Sequence, residues 1–287
     1  MRLLAYEHDG RAALGVRLEN AVVPLAAIAK SLPATLEDLL ALGPAALDSV
    51  RSGCERTSAR VSLDELRLLP PLSRPRRIIC VGLNYADHAA ESQFEPPKYP
   101  ALFTRFRESF VGHGTALERP ALSEQFDYEG ELVAVIGRRG RHIERAQALG
   151  HVAGYTIFND ASVRDYQFKS TQWMVGKNFD RTGACGPELV TAEELPAGAA
   201  GLALRTRVNG TTVQSASTRD MIFDVPTLVH LCSEIFELAP GDMIVTGTPA
   251  GVGFARKPPL FLHAGDVCEV EIEQLGTLRN PVVDEAR

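Results

Sequence analysis

Apolar and polar positions alternate in short segments over residues 2–28, with turn signals at Asp9-Gly10 and Glu19-Asn20, which predicts a small antiparallel meander. Thr35 then stands as an N-cap before Leu36-Glu37-Asp38-Leu39-Leu40, and Gly43-Pro44 ends that helix and opens a second one reaching about Arg56. The proline cluster at 70–75 is the best boundary in the chain, dividing a small α+β accessory domain, residues 1–70, from a main domain, residues 71–287. Beyond it, 77–82 reads as a short buried strand and 83–91 as the start of a helix. Residues 92–100 are proline-rich and read as mobile, and 101–106 returns to strand. The continuous apolar run from Leu132 to Gly137 predicts a buried strand that begins near Glu129. A further strand at 151–158 ends at Asn159-Asp160, with a helix at 162–168. Strands at 203–208 and 242–246 flank a helix at 226–236, and a last strand falls at 266–274. Strands predominate without regular βα alternation, so the pattern predicts a strand-rich α+β fold and not a doubly wound sheet.

With 287 residues, 45% of them hydrophobic, the chain is long enough for a sizeable core. A net charge of −6 and the lack of a long basic run argue against nucleic acid as a partner. The N-terminus has no signal-like apolar region, and no apolar run reaches membrane-spanning length. The five cysteines are scattered without a C-x-x-C, which fits a reduced cytoplasm and no zinc site.

The candidate chemistry centres on Glu129 and Glu131. Two residues apart on a strand, their carboxylates point the same way, roughly 7 Å apart. Like charges beside an apolar strand repel and resist desolvation, and a hard cation such as Mg²⁺, Mn²⁺ or Ca²⁺ would remove both penalties. Both could equally face water on a half-exposed strand. Asp160, at a strand end, would supply a third carboxylate, although an Asp there is also an ordinary turn residue. His88 and Glu91 share a helical face, so the carboxylate can orient the imidazole as a general base. Lys177, in an aromatic and glycine setting, could bind a substrate carboxylate or enolate, or sit at the surface. The stretch Gly247-Thr248-Pro249-Ala250-Gly251-Val252-Gly253 lacks the P-loop and dinucleotide spacings. It reads as a backbone loop whose amides and Thr248 hydroxyl touch an anionic ligand, or as plain turn chemistry.

Several motifs together carry a resemblance. They are Val81-Gly82-Leu83-Asn84-Tyr85-Ala86-Asp87-His88, Asp127-Tyr128-Glu129-Gly130-Glu131-Leu132, Asn159-Asp160, Gly176-Lys177-Asn178-Phe179-Asp180 and Thr246 to Gly253. In this order and spacing, from Pro75 onward, the chain resembles the fumarylacetoacetate hydrolase superfamily. The resemblance implies a mixed β-roll or sandwich-like domain, usually a homodimer, with Glu129, Glu131 and Asp160 holding Mg²⁺ or Mn²⁺. It also implies that His88 and Glu91 form a water-activating dyad on a lid, and that Lys177, Thr248 and Gln172 contact substrate oxygens. The N-terminal 70 residues resemble the accessory domain of bacterial members. The chain departs from the family where many members carry Lys-Pro: here the sequence runs Thr104-Arg105-Phe106-Arg107-Glu108-Ser109. The reaction so implied is hydrolysis of the C–C bond of a 2,4-dioxo acid to a 2-oxo acid, such as pyruvate, and a carboxylic acid. Decarboxylation of oxaloacetate type and enol–keto isomerisation are the alternatives, and a non-catalytic keto-acid binder is the rival from another class.

Overall fold

The apolar run after Glu129 becomes the strand Gly130–Ile136, and all seven of its residues are buried. The structure, a computed structural model, describes residues 1–91, 95 and 97–286. Part of the proline-rich stretch read as mobile, at 92–94 and 96, lies outside the described residues.

The N-terminal meander forms as its alternation predicts, as β1 (Arg2–His8), β2 (Arg11–Leu18) and β3 (Ala21–Pro24). The Thr35 side chain accepts the Asp38 amide and caps α1 (Leu36–Ala41). Pro44 opens α2 (Pro44–Arg56), where its missing N–H leaves no helical bond unmade. Beyond the proline cluster come β4 (Ile78–Gly82), α3 (Ala86–Glu91), β5 (Ala101–Thr104), β6 (Gly130–Ile136) and β7 (Val152–Asn159). Where a helix is expected at 162–168, a two-residue strand, Ser162–Val163, precedes the single turn α4 (Arg164–Gln167). Then come α5 (Met174–Lys177), β8 (Gly183–Thr191), β9 (Ala203–Val208), β10 (Thr211–Ser217) and α6 (Val225–Ile235). The chain closes with β11 (Met243–Val245), β12 (Val267–Ile272) and β13 (Gly276–Asp284).

One sheet of twelve strands runs β3-β2-β1-β8-β7-β6-β11-β4-β5 along its main path. It is mixed: β4 pairs parallel with β11, and β6 pairs antiparallel with β7 and β11. The proline cluster at 70–75 marks no break in it, because β1 pairs with β8 through Arg2↔Val190 and Leu3↔Leu189. A second sheet of five strands runs β10-β9-β12-β13 and ends on Leu117–Arg119.

The two faces of β6 explain its unbroken hydrophobicity. Leu132, Ala134 and Ile136 share a core with Leu204, Val270 and Leu278 of the five-stranded sheet. Val133 and Val135 share another with Leu36, Leu39 and Val50 of α1 and α2. A strand covered on both sides has no polar face to alternate. Each of the Leu, Val and Ile side chains contributes about 1.5–3 kcal/mol of burial, so the end of β6 is a rigid place to mount polar groups. The result is a strand-rich α+β fold with sandwich-like packing. Among the described residues, no helix is long and apolar enough to cross a membrane.

Candidate active site

Pairing between β6 and β7 brings the acidic residues together. Gly130 sits opposite Asn159 and Glu131 opposite Phe158. Just outside the strands, the Asp160 amide donates to the Glu129 carbonyl at 2.8 Å, and the Glu129 amide donates to Asn159 Oδ1 at 3.0 Å. Glu129, Glu131 and Asp160 are all buried, and one ligand oxygen from each lies within 4.8 Å of the others.

Cations answer part of this charge. Lys177 Nζ, on α5, lies 2.6 Å from Glu129 Oε2 and 2.6 Å from Asp160 Oδ2. Arg164, on α4, donates through Nε to Asp127 Oδ2 at 2.8 Å and through Nη1 to Gln167 Oε1 at 2.8 Å. Its Nη2 stands 2.7 Å from Glu129 Oε1, an ion-pair distance, but makes no hydrogen bond of good geometry there. Burial alone would raise the Glu129 carboxyl, yet Lys177 and Arg164 outweigh it and bring it down to about 2. Glu131 goes the other way: burial, reinforced by Asp160 and Glu129, pushes it well above the usual carboxylate range. Its hydrogen-bond partner is the Gly247 amide, at 2.5 Å, and not a cation. Burial works against the Lys177 ammonium, but Asp160 and Glu129 more than offset this and raise its pKa.

A divalent cation fits this set of groups. Three buried carboxylates are hard oxygen donors, and a positive charge among them would relieve Glu131.

His88 is buried and faces the same small cleft. Its Nδ1 lies 3.0 Å from Glu91 Oε1, which leaves Nε2 for a substrate proton. Glu91 is fixed in turn by the Gly251 amide, which donates to its two oxygens at 3.0 and 2.9 Å. Phe103, Phe168, Trp173 and Phe254 form an aromatic wall.

The glycine loop does something other than what its sequence suggests. Its amides bind the protein's own carboxylates: Gly247 donates to Glu131, Gly251 to Glu91, and Gly253 to Asp127 at 2.7 Å. Thr248 lines the cleft, while its hydroxyl donates to the Gly130 carbonyl at 3.0 Å and accepts from Gln214. One loop therefore ties together the acidic triad, the His88–Glu91 pair and, through Asp127, the Arg164 guanidinium.

The structure brings Glu129, Glu131, Asp160, His88, Lys177 and Thr248 to one cleft, with Glu91 behind His88. Gln172 is not among them: it is exposed, and Gln167 occupies the wall of the cleft instead. The difference in placement has a simple cause. Gln167 lies three residues from Arg164 on α4, the turn that follows Asp160, so both face the triad. Sequence reading missed Arg164 and Gln167, though an Arg and a Gln three apart just past Asp160 is a usable signal.

Fold and site define a strand-rich protein with a buried carboxylate triad at the wall of a cleft. The chain belongs to the fumarylacetoacetate hydrolase family: residues 77–283 match the family model described as Fumarylacetoacetate (FAA) hydrolase C-terminal. The resemblance read from the motifs is thereby borne out. The chain is 39% identical over 289 residues to the mitochondrial oxaloacetate tautomerase fahd2 of Xenopus laevis, covering 99% of this chain and 90% of that one. The solved fumarylacetoacetate hydrolase of Exiguobacterium antarcticum is 38% identical, with a TM-score of 0.86 over 99% of this chain and 100% of that one. A maleylpyruvate hydrolase from Sphingobium sp. SYK-6, solved with manganese(II) and pyruvate, is 27% identical, with a TM-score of 0.84 over 100% of both chains.

Proposed function

We propose that the chain moves a proton between carbon and oxygen of a small 2-oxo acid, as an oxaloacetate keto–enol tautomerase. The observation that carries this reading is His88, held by Glu91 and facing the triad across one small cleft. Tautomerisation needs one positioned acid–base group beside a polarised carbonyl, and the site offers that. The relatives named as oxaloacetate tautomerases, at 39–40% identity, support the choice of acid.

Glu129, Glu131 and Asp160 would hold Mg²⁺ or Mn²⁺. When bound, the ion supplies positive charge that polarises the 2-oxo group and offsets charge developing on its oxygen. Arg164, Gln167 and Lys177 orient the substrate by its carboxylate and oxo oxygens. His88 Nε2 takes the proton from C3 as the C2–C3 double bond forms, then returns it to the C2 oxygen. Glu91 accepts from Nδ1–H and stabilises the imidazolium between the two transfers. A base so placed contributes about 10²–10⁴-fold. In a 2-oxo acid solution at neutral pH, the enzyme should hasten decay of enol absorbance.

A second reading rests on the same dyad. His88 would take a proton from water, whose oxygen adds to the distal carbonyl of a 2,4-dioxo acid. The C3–C4 bond then breaks and C3 takes up the proton, leaving pyruvate or a related 2-oxo acid and a carboxylic acid. The maleylpyruvate hydrolase solved with pyruvate supports this reading. Release of pyruvate from acylpyruvates, against enol decay of oxaloacetate, separates the two.

We also read the chain as a homodimer of the reducing cytoplasm. Exposed apolar side chains at Phe106, Leu122, Met174 and Val175 support the first part, and five free cysteines support the second. Sedimentation at micromolar concentration tests the dimer.

A further inference from the structure

Arg105 stands where the chain departs from the family's Lys-Pro, just past β5. Its side chain is wholly buried, although it carries a full charge. Such burial is costly unless every donor is satisfied. Here all five N–H groups have acceptors. Nε donates to Ser109 Oγ at 3.0 Å. Nη1 donates to Asp160 Oδ1 at 2.6 Å and to the Ala161 carbonyl at 3.1 Å. Nη2 donates to the Ser109 carbonyl at 3.0 Å and to Thr182 Oγ1 at 3.0 Å. The guanidinium lies 5.6 Å from the centre of the Phe158 ring. Room for it is kept by Gly183, where a Cβ would stand 2.9–3.1 Å from the guanidinium atoms.

Asp160 is thus gripped at both oxygens, by Arg105 on Oδ1 and by Lys177 on Oδ2, each at 2.6 Å. Only Lys177 lines the cleft. We propose that Arg105 is a positioning residue: it acts through Asp160, fixing the carboxylate's rotation so that the triad converges on a divalent cation. A lysine in its place has one nitrogen and cannot reach acceptors spread over Ser109, Asp160, Ala161 and Thr182 together. The proposal rests on the triad being a metal site.

The test titrates Mn²⁺ into metal-free protein and reads free Mn²⁺ by electron paramagnetic resonance, with circular dichroism as a check of folding. Wild type is compared with Arg105→Lys, Arg105→Met and Gly183→Ala, the last keeping the arginine but pressing on its guanidinium. Loss of an outer partner of a ligand weakens metal binding by about 10–100-fold, and that loss is expected in both Arg105 variants, with a smaller one in Gly183→Ala. At saturating Mn²⁺ the substrate KM should return to near the wild-type value, as rescue by metal requires. A cation near the site also repels the metal, so folded Arg105 variants that bind Mn²⁺ as tightly as wild type, or more tightly, overturn the proposal. Should both Arg105 variants fail to fold, unchanged affinity in Gly183→Ala overturns it. Wild type that binds no Mn²⁺ would instead remove the metal reading itself.

Discussion

Gly251 donates its backbone N–H to both carboxylate oxygens of Glu91, 160 residues away in sequence. The same glycine's carbonyl accepts from Tyr128 Oη at 3.1 Å and Arg256 Nε at 3.2 Å, so the loop that steadies Glu91 is itself pinned. Orientation of His88 is therefore built from the far end of the chain.

This makes Gly251 sensitive. Its φ is +103°, a region that suits glycine, and a Cβ there would run into the Val213 carbonyl oxygen. Gly251→Ala should cost about 1–3 kcal/mol of stability and lower kcat roughly tenfold, a rise of about 1.4 kcal/mol in the barrier. Mn²⁺ affinity should hold, since Glu91 is no part of the triad. Calorimetric melting and steady-state kinetics check both halves; unchanged kcat would mean that the loop does not orient the dyad.

Metal removal should act on stability as well as on rate. The protein stripped with EDTA should be inactive, and Mg²⁺ or Mn²⁺ should restore activity and raise the melting temperature. At 100 times the dissociation constant, a ligand that binds only the folded state adds about 2.7 kcal/mol. Full activity after stripping would contradict the assignment of Glu129, Glu131 and Asp160.

Gln167 and Gln172 are five positions apart and should behave oppositely. Gln167→Ala removes a buried neutral hydrogen-bonding group from the cleft and should raise KM about 2–10-fold. Gln172→Ala alters an exposed side chain and should leave kcat and KM unchanged. A KM effect confined to Gln172 would reverse the assignment.

The triad is legible because strand alternation and motif spacing put Glu129, Glu131 and Asp160 at the adjoining ends of two neighbouring, strongly apolar strands. The counter-charges are harder to read. Arg105 finds Asp160 55 residues on, and Arg164 finds Asp127 37 residues back, so local pattern holds no sign of either pair. Strand β8 is hidden for another reason. Two glycines and a proline in Gly183-Ala184-Cys185-Gly186-Pro187 mask the strand pattern, yet every residue of the strand is buried, and its partners β1 and β7 supply the context. The same distance effect conceals the union of the N-terminal meander with the main sheet. A register between Leu3 and Leu189 cannot be inferred from a proline cluster.

Asp224 offers a control that should move stability and not chemistry. It caps α6, with Oδ1 accepting the Thr227 amide at 3.0 Å and Oδ2 accepting from Arg145 at 2.6 Å. Burial would raise its carboxyl, but the Thr227 bonds and Arg145 outweigh this and lower it. A folded pKa below the unfolded one means that the contribution is complete above about pH 4 and is lost as pH falls through the lowered value. Asp224→Ala should cost about 0.5–2 kcal/mol at pH 7, with kcat unchanged. Urea unfolding at pH 7 and pH 3 checks the sign: the gap between wild type and variant should shrink in acid.

In the function proposed above, His88 moves the proton of a 2-oxo acid. Its most direct test is the decay of oxaloacetate enol absorbance, followed with Mn²⁺-loaded wild type and His88→Gln, the variant's metal binding being measured on the same sample. Rapid decay is expected with wild type and a fall of about 10²–10⁴-fold in the variant, with Mn²⁺ affinity retained. Decay as fast in His88→Gln as in wild type would contradict it.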